Sequence, residues 1–191
     1  MPIRPPGPCW PHPPYWLPPR QRWRRPPPAT LPTWLDEPGS LTARLVALAQ
    51  GRFRVRVLAE GWARPTPEER RCLGLHDREQ AWVREVMLLG DGQPWVRARS
   101  ILPRASLVGV GRRLTRLGDR SLGGLLFRDP ALRRGDIACA CLDMEGQPVW
   151  ARRSKLMLRG HPVLVAEAFL PALLAYAATA GATASTTRAP T

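Results

Sequence analysis

The segment SLTARLVALAQG, residues 40–51, sets Leu41, Leu45 and Leu48 at helical spacing behind Ser40, a residue suited to an N-cap, with Gly51 just beyond. FRVRVLAEGW follows and alternates Phe53, Val55 and Val57 against Arg52, Arg54 and Arg56, the pattern of a half-buried strand with an arginine face. PTPEERRCLGL predicts a helix or turn after Thr66. WVREVMLLGDGQPWVRARSIL, residues 82–102, predicts a hairpin, because Asp91-Gly92 suits a two-residue turn that needs positive φ at both central positions. An unbroken register from that turn opposes Leu88 to Trp95, Val86 to Arg97 and Arg84 to Arg99, and puts these side chains on one face. Like charges directly opposite each other destabilise a sheet, so such a face calls for solvent or an anion.

SLVGVGRRLTRLGDRSLGGLLF predicts a short helix around Gly111 to Leu117, a glycine-rich bend and a second helical turn at Leu122 to Phe127. IACACL, VWARRSKLML and VLVAEAFL read as further strands, the last two turned antiparallel at Arg159-Gly160-His161-Pro162. Residues 172–180 are alanine-rich and predict a closing helix. Helices gathered between strands, without strict βα alternation, give an α+β class with a single antiparallel β-sheet flanked by helices. Three regions follow: a Pro-, Arg- and Trp-rich segment over 1–30 that is extended or disordered, a domain over 31–176, and a frayed tail over 177–191. Trp10, Trp16 and Trp23 qualify the first of these, since indoles can pin such a segment along the domain surface.

The 191 residues suffice to bury one core. The net charge of +14 suits nucleic acid, an anionic surface or an acidic small molecule, but it comes in scattered pairs such as Arg70-Arg71 and Arg152-Arg153, which reads as a solvated basic surface. Cys9, Cys72, Cys139 and Cys141 form no CxxC pair, and alternation puts the thiols of Cys139 and Cys141 on one strand face, buried and reduced. His12, His76 and His161 lie apart, so no metal is expected. GVGRRL lacks the strand and helix context of a nucleotide loop, and there is no GxSxG elbow. With no membrane-length apolar run and no signal-like N-terminus, the expected compartment is the cytoplasm.

Glu167 is the candidate for chemistry. Alternation in VLVAEAFL groups it with Val163, Val165 and Phe169, so the carboxylate sits among apolar neighbours and must be paired, hydrogen-bonded or shifted in pKa. A structural ion pair with a nearby arginine is the plain alternative.

Several blocks in order resemble the chorismate pyruvate-lyase family: WLDEPGSLTARL at 34–45, WVREVMLLGDGQPWVRARSILP at 82–103, RSLGGLLF at 120–127, WARRSKL at 150–156 and VLVAEAFLPA at 163–172. The resemblance implies a chorismate lyase-like fold and a cofactor-free enzyme that eliminates pyruvate from chorismate to leave 4-hydroxybenzoate, opening ubiquinone biosynthesis. It places the arginine for the ligand carboxylate at Arg84, the carboxylate meeting the ring hydroxyl at Glu167, and flap contacts at Leu41 and Leu122. The family has methionine where Leu41 stands, which a backbone contact tolerates. Bidentate arginines suit a dianionic substrate, so Arg99, and after it Arg97 or Arg153, is the candidate to stabilise the leaving enolpyruvyl group. The expected protein is a monomer with chorismate and its product as partners and no nucleic acid. Residues 1–28 lie outside the resemblance, so their removal is expected to spare turnover. Two other readings are a non-catalytic effector-binding domain of the same fold and a basic RNA-binding protein. A helix-turn-helix cannot be built from residues 1–33, and closely spaced strand aromatics are lacking.

Overall fold

The computed structural model describes residues 10–11, 15–18, 21, 27–28 and 31–186, with Cys9, His12, Trp23 and residues 187–191 outside that set. Six strands form one antiparallel sheet in the order β1-β2-β3-β6-β5-β4. They are β1 (Phe53–Ala63), β2 (Ala81–Gly90), β3 (Gln93–Pro103), β4 (Leu132–Met144), β5 (Gln147–Leu158) and β6 (His161–Phe169). Among the described residues five α-helices accompany them: α1 (Pro32–Leu35), α2 (Leu41–Ala49), α3 (Pro67–Leu73), α4 (Leu122–Leu126) and α5 (Pro171–Thr186). Two short 3-10 helices, Arg104–Leu107 and Gly109–Thr115, stand where a helix around Gly111 to Leu117 was predicted. Helix α5 runs past the predicted 172–180.

The helix starts follow side-chain chemistry. Ser40 caps α2 by accepting from the Ala43 amide at 3.2 Å, and Ser121 caps α4 by accepting from Gly124 at 3.0 Å. Thr66 and Glu69 form a reciprocal capping box on α3. On one side of the sheet α1, α2 and α5 bury Leu31, Leu35, Leu45 and Leu173 against Leu88, Trp95, Val96 and Phe169. Cys139, buried, and Cys141, partly buried, join this cluster. On the other side Leu73 of α3 packs against Val83, Ile101 and Leu164.

The hairpin turns at Asp91 and Gly92, with φ of 51° and 75°. Its pairing then departs from the unbroken register. Leu89 opposes Pro94 but Leu88 opposes Val96, so Trp95 is an extra residue on β3. Gly90 makes room for it: a Cβ there would lie 2.2 Å from the Trp95 ring. Trp95 is fully buried and packs on Tyr176 of α5 with ring centroids 4.8 Å apart. A bulge of one residue moves every later side chain to the opposite face. Arg84 therefore opposes Ser100, and Arg99 opposes Glu85. A second bulge lies in β1, where Val57 opposes Val86 and Ala59 opposes Glu85. It brings Glu60 opposite Arg84.

Part of the N-terminal segment is docked. Small residues on β4, β5 and β6 (Ala140, Ala151, Ala166 and Ala168) leave a trough that the Trp10 indole fills, at 3% exposure. The Arg153 guanidinium lies 4.6 Å from the Trp16 ring centroid. Leu17 pairs with Cys139 of β4, an outer strand, through reciprocal backbone hydrogen bonds of 2.7 and 2.8 Å. Trp10→Ala is thus expected to cost about 3 kcal/mol of stability, a fall in melting temperature on the order of 10 °C, measured by thermal unfolding. An unchanged melting temperature would show that the trough is not filled by Trp10.

Candidate active site

One cavity lies between the sheet and the N-terminal ends of α2 and α4. Its floor is the inward row of four strands: Arg84, Val86 and Leu88 of β2, Ala98 and Ser100 of β3, Val165 and Glu167 of β6, and Ser154 and Leu156 of β5. Arg134 of β4 closes one end. The roof is Leu41 and Thr42 of α2 with Leu122, Gly123 and Leu126 of α4. The two roof helices touch where Gly123 leaves no space for a side chain, a Cβ there falling 2.9 Å from Thr42 Oγ1. Leu41 and Leu122 hold equivalent positions, each the first helical residue after a serine cap.

Four of the sequence-predicted residues, Leu41, Arg84, Leu122 and Glu167, therefore line the same cavity. Arg84 is 2% exposed, pairs with Glu60, and donates from Nη2 to the carbonyl oxygens of Gly118 at 2.6 Å and Arg120 at 3.2 Å. These bonds tie the loop before α4 to the sheet. Glu167 accepts a 2.7 Å hydrogen bond from Nε of Arg152, its cross-strand partner on β5. Arg152 is wholly buried, and its Nη1 donates to the backbone oxygens of Trp34 (3.1 Å) and Glu37 (2.8 Å). The ion pair read as the alternative role for Glu167 is thus present, and it fixes a carboxylate at the cavity wall. Arg84 and Glu167 stand on strands separated by β3, two spacings or about 10 Å of backbone.

Arg134 donates from Nη1 to Ser154 Oγ at 3.0 Å and from Nη2 to the Gly39 carbonyl at 3.1 Å, and the Phe127 ring lies 5.0 Å from its guanidinium. Burial, with the like charge of Arg152, draws its pKa below the ordinary value against the opposing pull of Glu167 and Glu37.

Arg99 is not at this cavity. The Trp95 bulge turns it to the opposite face, where Nε and Nη2 grip the Glu69 carboxylate at 2.7 and 3.1 Å and Nη1 reaches Glu85 at 2.7 Å. Arg97 joins the same cluster through Glu85 at 2.9 Å, and Arg153 pairs with Glu68. Burial acts against the charge of Arg99, yet Glu69 and Glu85 outweigh it and hold the guanidinium above its ordinary pKa. Burial likewise pushes Glu69 up, and hydrogen bonds from Arg99 and Thr66 bring it below the ordinary value. The assignment of Arg99, Arg97 or Arg153 to the leaving group is corrected accordingly. Glu60, Arg134, Ser154 and Arg152 were missed. Glu60 was hidden by the β1 bulge, whereas the spacing of Arg152 and Ser154 on β5 was readable as one strand face.

The family model for chorismate lyase matches residues 13–178. A probable chorismate pyruvate-lyase of Aromatoleum aromaticum is 45% identical over 182 residues, covering 86% of this chain and 96% of its own. One from Pseudomonas aeruginosa is 46% identical over 151 residues, covering 75% of this chain and 85% of its own. Among solved structures, the effector domain of PhnF from Mycobacterium smegmatis superposes with a TM-score of 0.52 at 16% identity, covering 70% of this chain and 90% of that one. This last likeness concerns the fold alone.

Proposed function

The chain belongs to the chorismate lyase family, and from that premise we propose that it eliminates pyruvate from chorismate to give 4-hydroxybenzoate, in the cytoplasm, for ubiquinone biosynthesis. The observation that carries this reading is the convergence of Arg84 and Glu167 on one apolar cavity roofed by Leu41 and Leu122. In this reading Arg84, whose guanidinium is held by Glu60 and two backbone carbonyls, donates to the ring carboxylate, and Glu167, one oxygen of which already holds Arg152, offers the other to the ring hydroxyl. The first-turn amides of a helix have no intrahelical acceptor, so the backbone at Leu41 and Leu122 supports ligand contacts that do not depend on methionine. Elimination breaks the ether bond at the ring carbon, and its electron pair leaves with the enolpyruvate. The neighbouring hydroxyl-bearing carbon loses its proton and the ring becomes aromatic. The enolpyruvate takes a proton at its methylene carbon to become pyruvate. Much of the driving force lies in aromatisation, so the protein need only bind, orient and exclude water.

The direct test is pyruvate release from chorismate by the purified protein with chelator present and no added cofactor. Release is expected to proceed at an undiminished rate, and loss of activity to chelator would refute the cofactor-free reading. Glu167→Gln keeps shape and hydrogen-bonding capacity while removing charge. It is expected to lower the single-turnover rate by about 100-fold, within the range for an acid-base group, with a smaller effect on product affinity. Equal losses in both would instead assign Glu167 to charge balance. No helix among the described residues is long and apolar enough to cross a membrane. The scattered arginine pairs give the RNA-binding reading no concentrated face, and the absence of nucleic acid from the function is part of this proposal.

A further inference from the structure

We propose that Arg134 is the second carboxylate seat, the residue that holds the enolpyruvyl group of chorismate and stabilises it as it leaves; this rests on the activity proposed above. Chorismate bears two carboxylates, and the cavity needs a cation for each. Arg84, which also pairs with Glu60, is assigned to the ring carboxylate, Arg152 pairs with Glu167, and Arg99, Arg97 and Arg153 are engaged on the opposite face. Arg134 is different: among the described residues its guanidinium binds a hydroxyl and a backbone carbonyl and forms no ion pair. Its Nε is buried with no hydrogen-bond partner. A buried donor left unsatisfied is costly, and burial with the like charge of Arg152 outweighs the more distant pull of Glu167 and Glu37, as fits a cation in no direct ion pair. Arg120 also lines the cavity, but it is exposed and its guanidinium is turned to the carbonyls of Leu117 and Arg116.

Placement decides the partner. Arg84 is on β2, Glu167 on β6 and Arg134 on β4, in that order across the sheet. With the ring carboxylate at Arg84 and the hydroxyl at Glu167, the ether stands on the carbon next to the hydroxyl, at the Glu167 end. The enolpyruvyl group therefore extends toward Arg134. As the ether bond breaks, its electron pair adds negative charge to a group that already carries a carboxylate, so a cation there gains on the transition state relative to the ground state.

The product retains the ring carboxylate and hydroxyl but has lost the second carboxylate, and this separates Arg134 from Arg84. Arg134→Gln keeps hydrogen-bond donors for Ser154 and Gly39 and removes the charge. The affinity for 4-hydroxybenzoate, measured by calorimetry, is expected to stay within about twofold, while kcat/KM for chorismate falls by about 100-fold. Arg134→Lys is expected to restore part of kcat/KM without moving product affinity. An unchanged kcat/KM in Arg134→Gln, or a parallel loss of product affinity and kcat/KM, overturns the proposal. If Arg134→Gln fails to fold, Arg134→Lys carries the test: full loss of kcat/KM with native product affinity overturns the role of charge. Wild-type protein that releases no pyruvate refutes the underlying activity instead, an outcome read before any variant is made.

Discussion

Arg84→Ala is expected to weaken 4-hydroxybenzoate binding by about 2–5 kcal/mol, the range for removing one partner of a buried charge-assisted pair, with a matching loss of kcat/KM for chorismate. The residue is 2% exposed and its guanidinium already serves Glu60 and the carbonyls of Gly118 and Arg120, so its head is held rather than searching. Arg84→Lys supplies a point charge but no fork, and should recover a fraction of the affinity while still neutralising Glu60. Isothermal calorimetry with product, alongside a melting curve, separates the ligand effect from loss of the Glu60 pair. Wild-type affinity in both variants would remove Arg84 from the site.

Arg99→Ala is expected to act on stability. The guanidinium is 5% exposed and makes three charge-assisted hydrogen bonds to Glu69 and Glu85, so its removal leaves buried Glu69 uncompensated and Glu85 with Arg97 alone. Breaking such a cluster from one side costs about 3–5 kcal/mol, or a fall in melting temperature on the order of 10 °C. The folded-state pKa of Glu69 lies below its unfolded value. Its stabilising contribution is therefore present above the unfolded pKa and is lost as pH falls through the lowered folded one, so Arg99→Ala should flatten the acid limb of the stability profile. Below its shifted melting temperature the variant should bind 4-hydroxybenzoate normally, because the cluster lies behind the sheet. A loss of product affinity with an unshifted melting temperature would return Arg99 to the ligand.

The contrast between these two arginines marks how far the sequence could be read. Local chemistry was legible: the serine cap of α2, the Asp91-Gly92 turn and the alternation around Glu167 each follow from neighbours in the chain. The cavity positions of Leu41, Arg84 and Leu122 were implied by the family resemblance and not by local pattern. What failed was register. Alternation assigns a face only while pairing is unbroken, and the extra Trp95 and the β1 bulge each reverse it within a strand. The unbroken register had carried its own warning, since it opposed Arg84 to Arg99. A shift of one residue sets Arg99 against Glu85 instead, and that exchange of repulsion for attraction could have been weighed from sequence. No such local signal identifies the Glu69 contact, which comes from a separate helix, or the Trp10 trough, which depends on small residues from three strands.

The Leu17–Cys139 pairing also determines how this sheet avoids growing. An outer strand with unpaired backbone groups is a template for another chain. At β4 part of that template is occupied by the protein's own Leu17, and at β1, the other outer strand, Arg54 and Arg56 are exposed. A chain clipped before Leu17 keeps its place on β4, but one clipped after it uncovers backbone groups beside apolar Cys139 and Ile137. Proteolysis in that short interval would then convert a self-limited sheet into one open to intermolecular strand addition, so solubility on storage depends on where the N-terminal segment is cut.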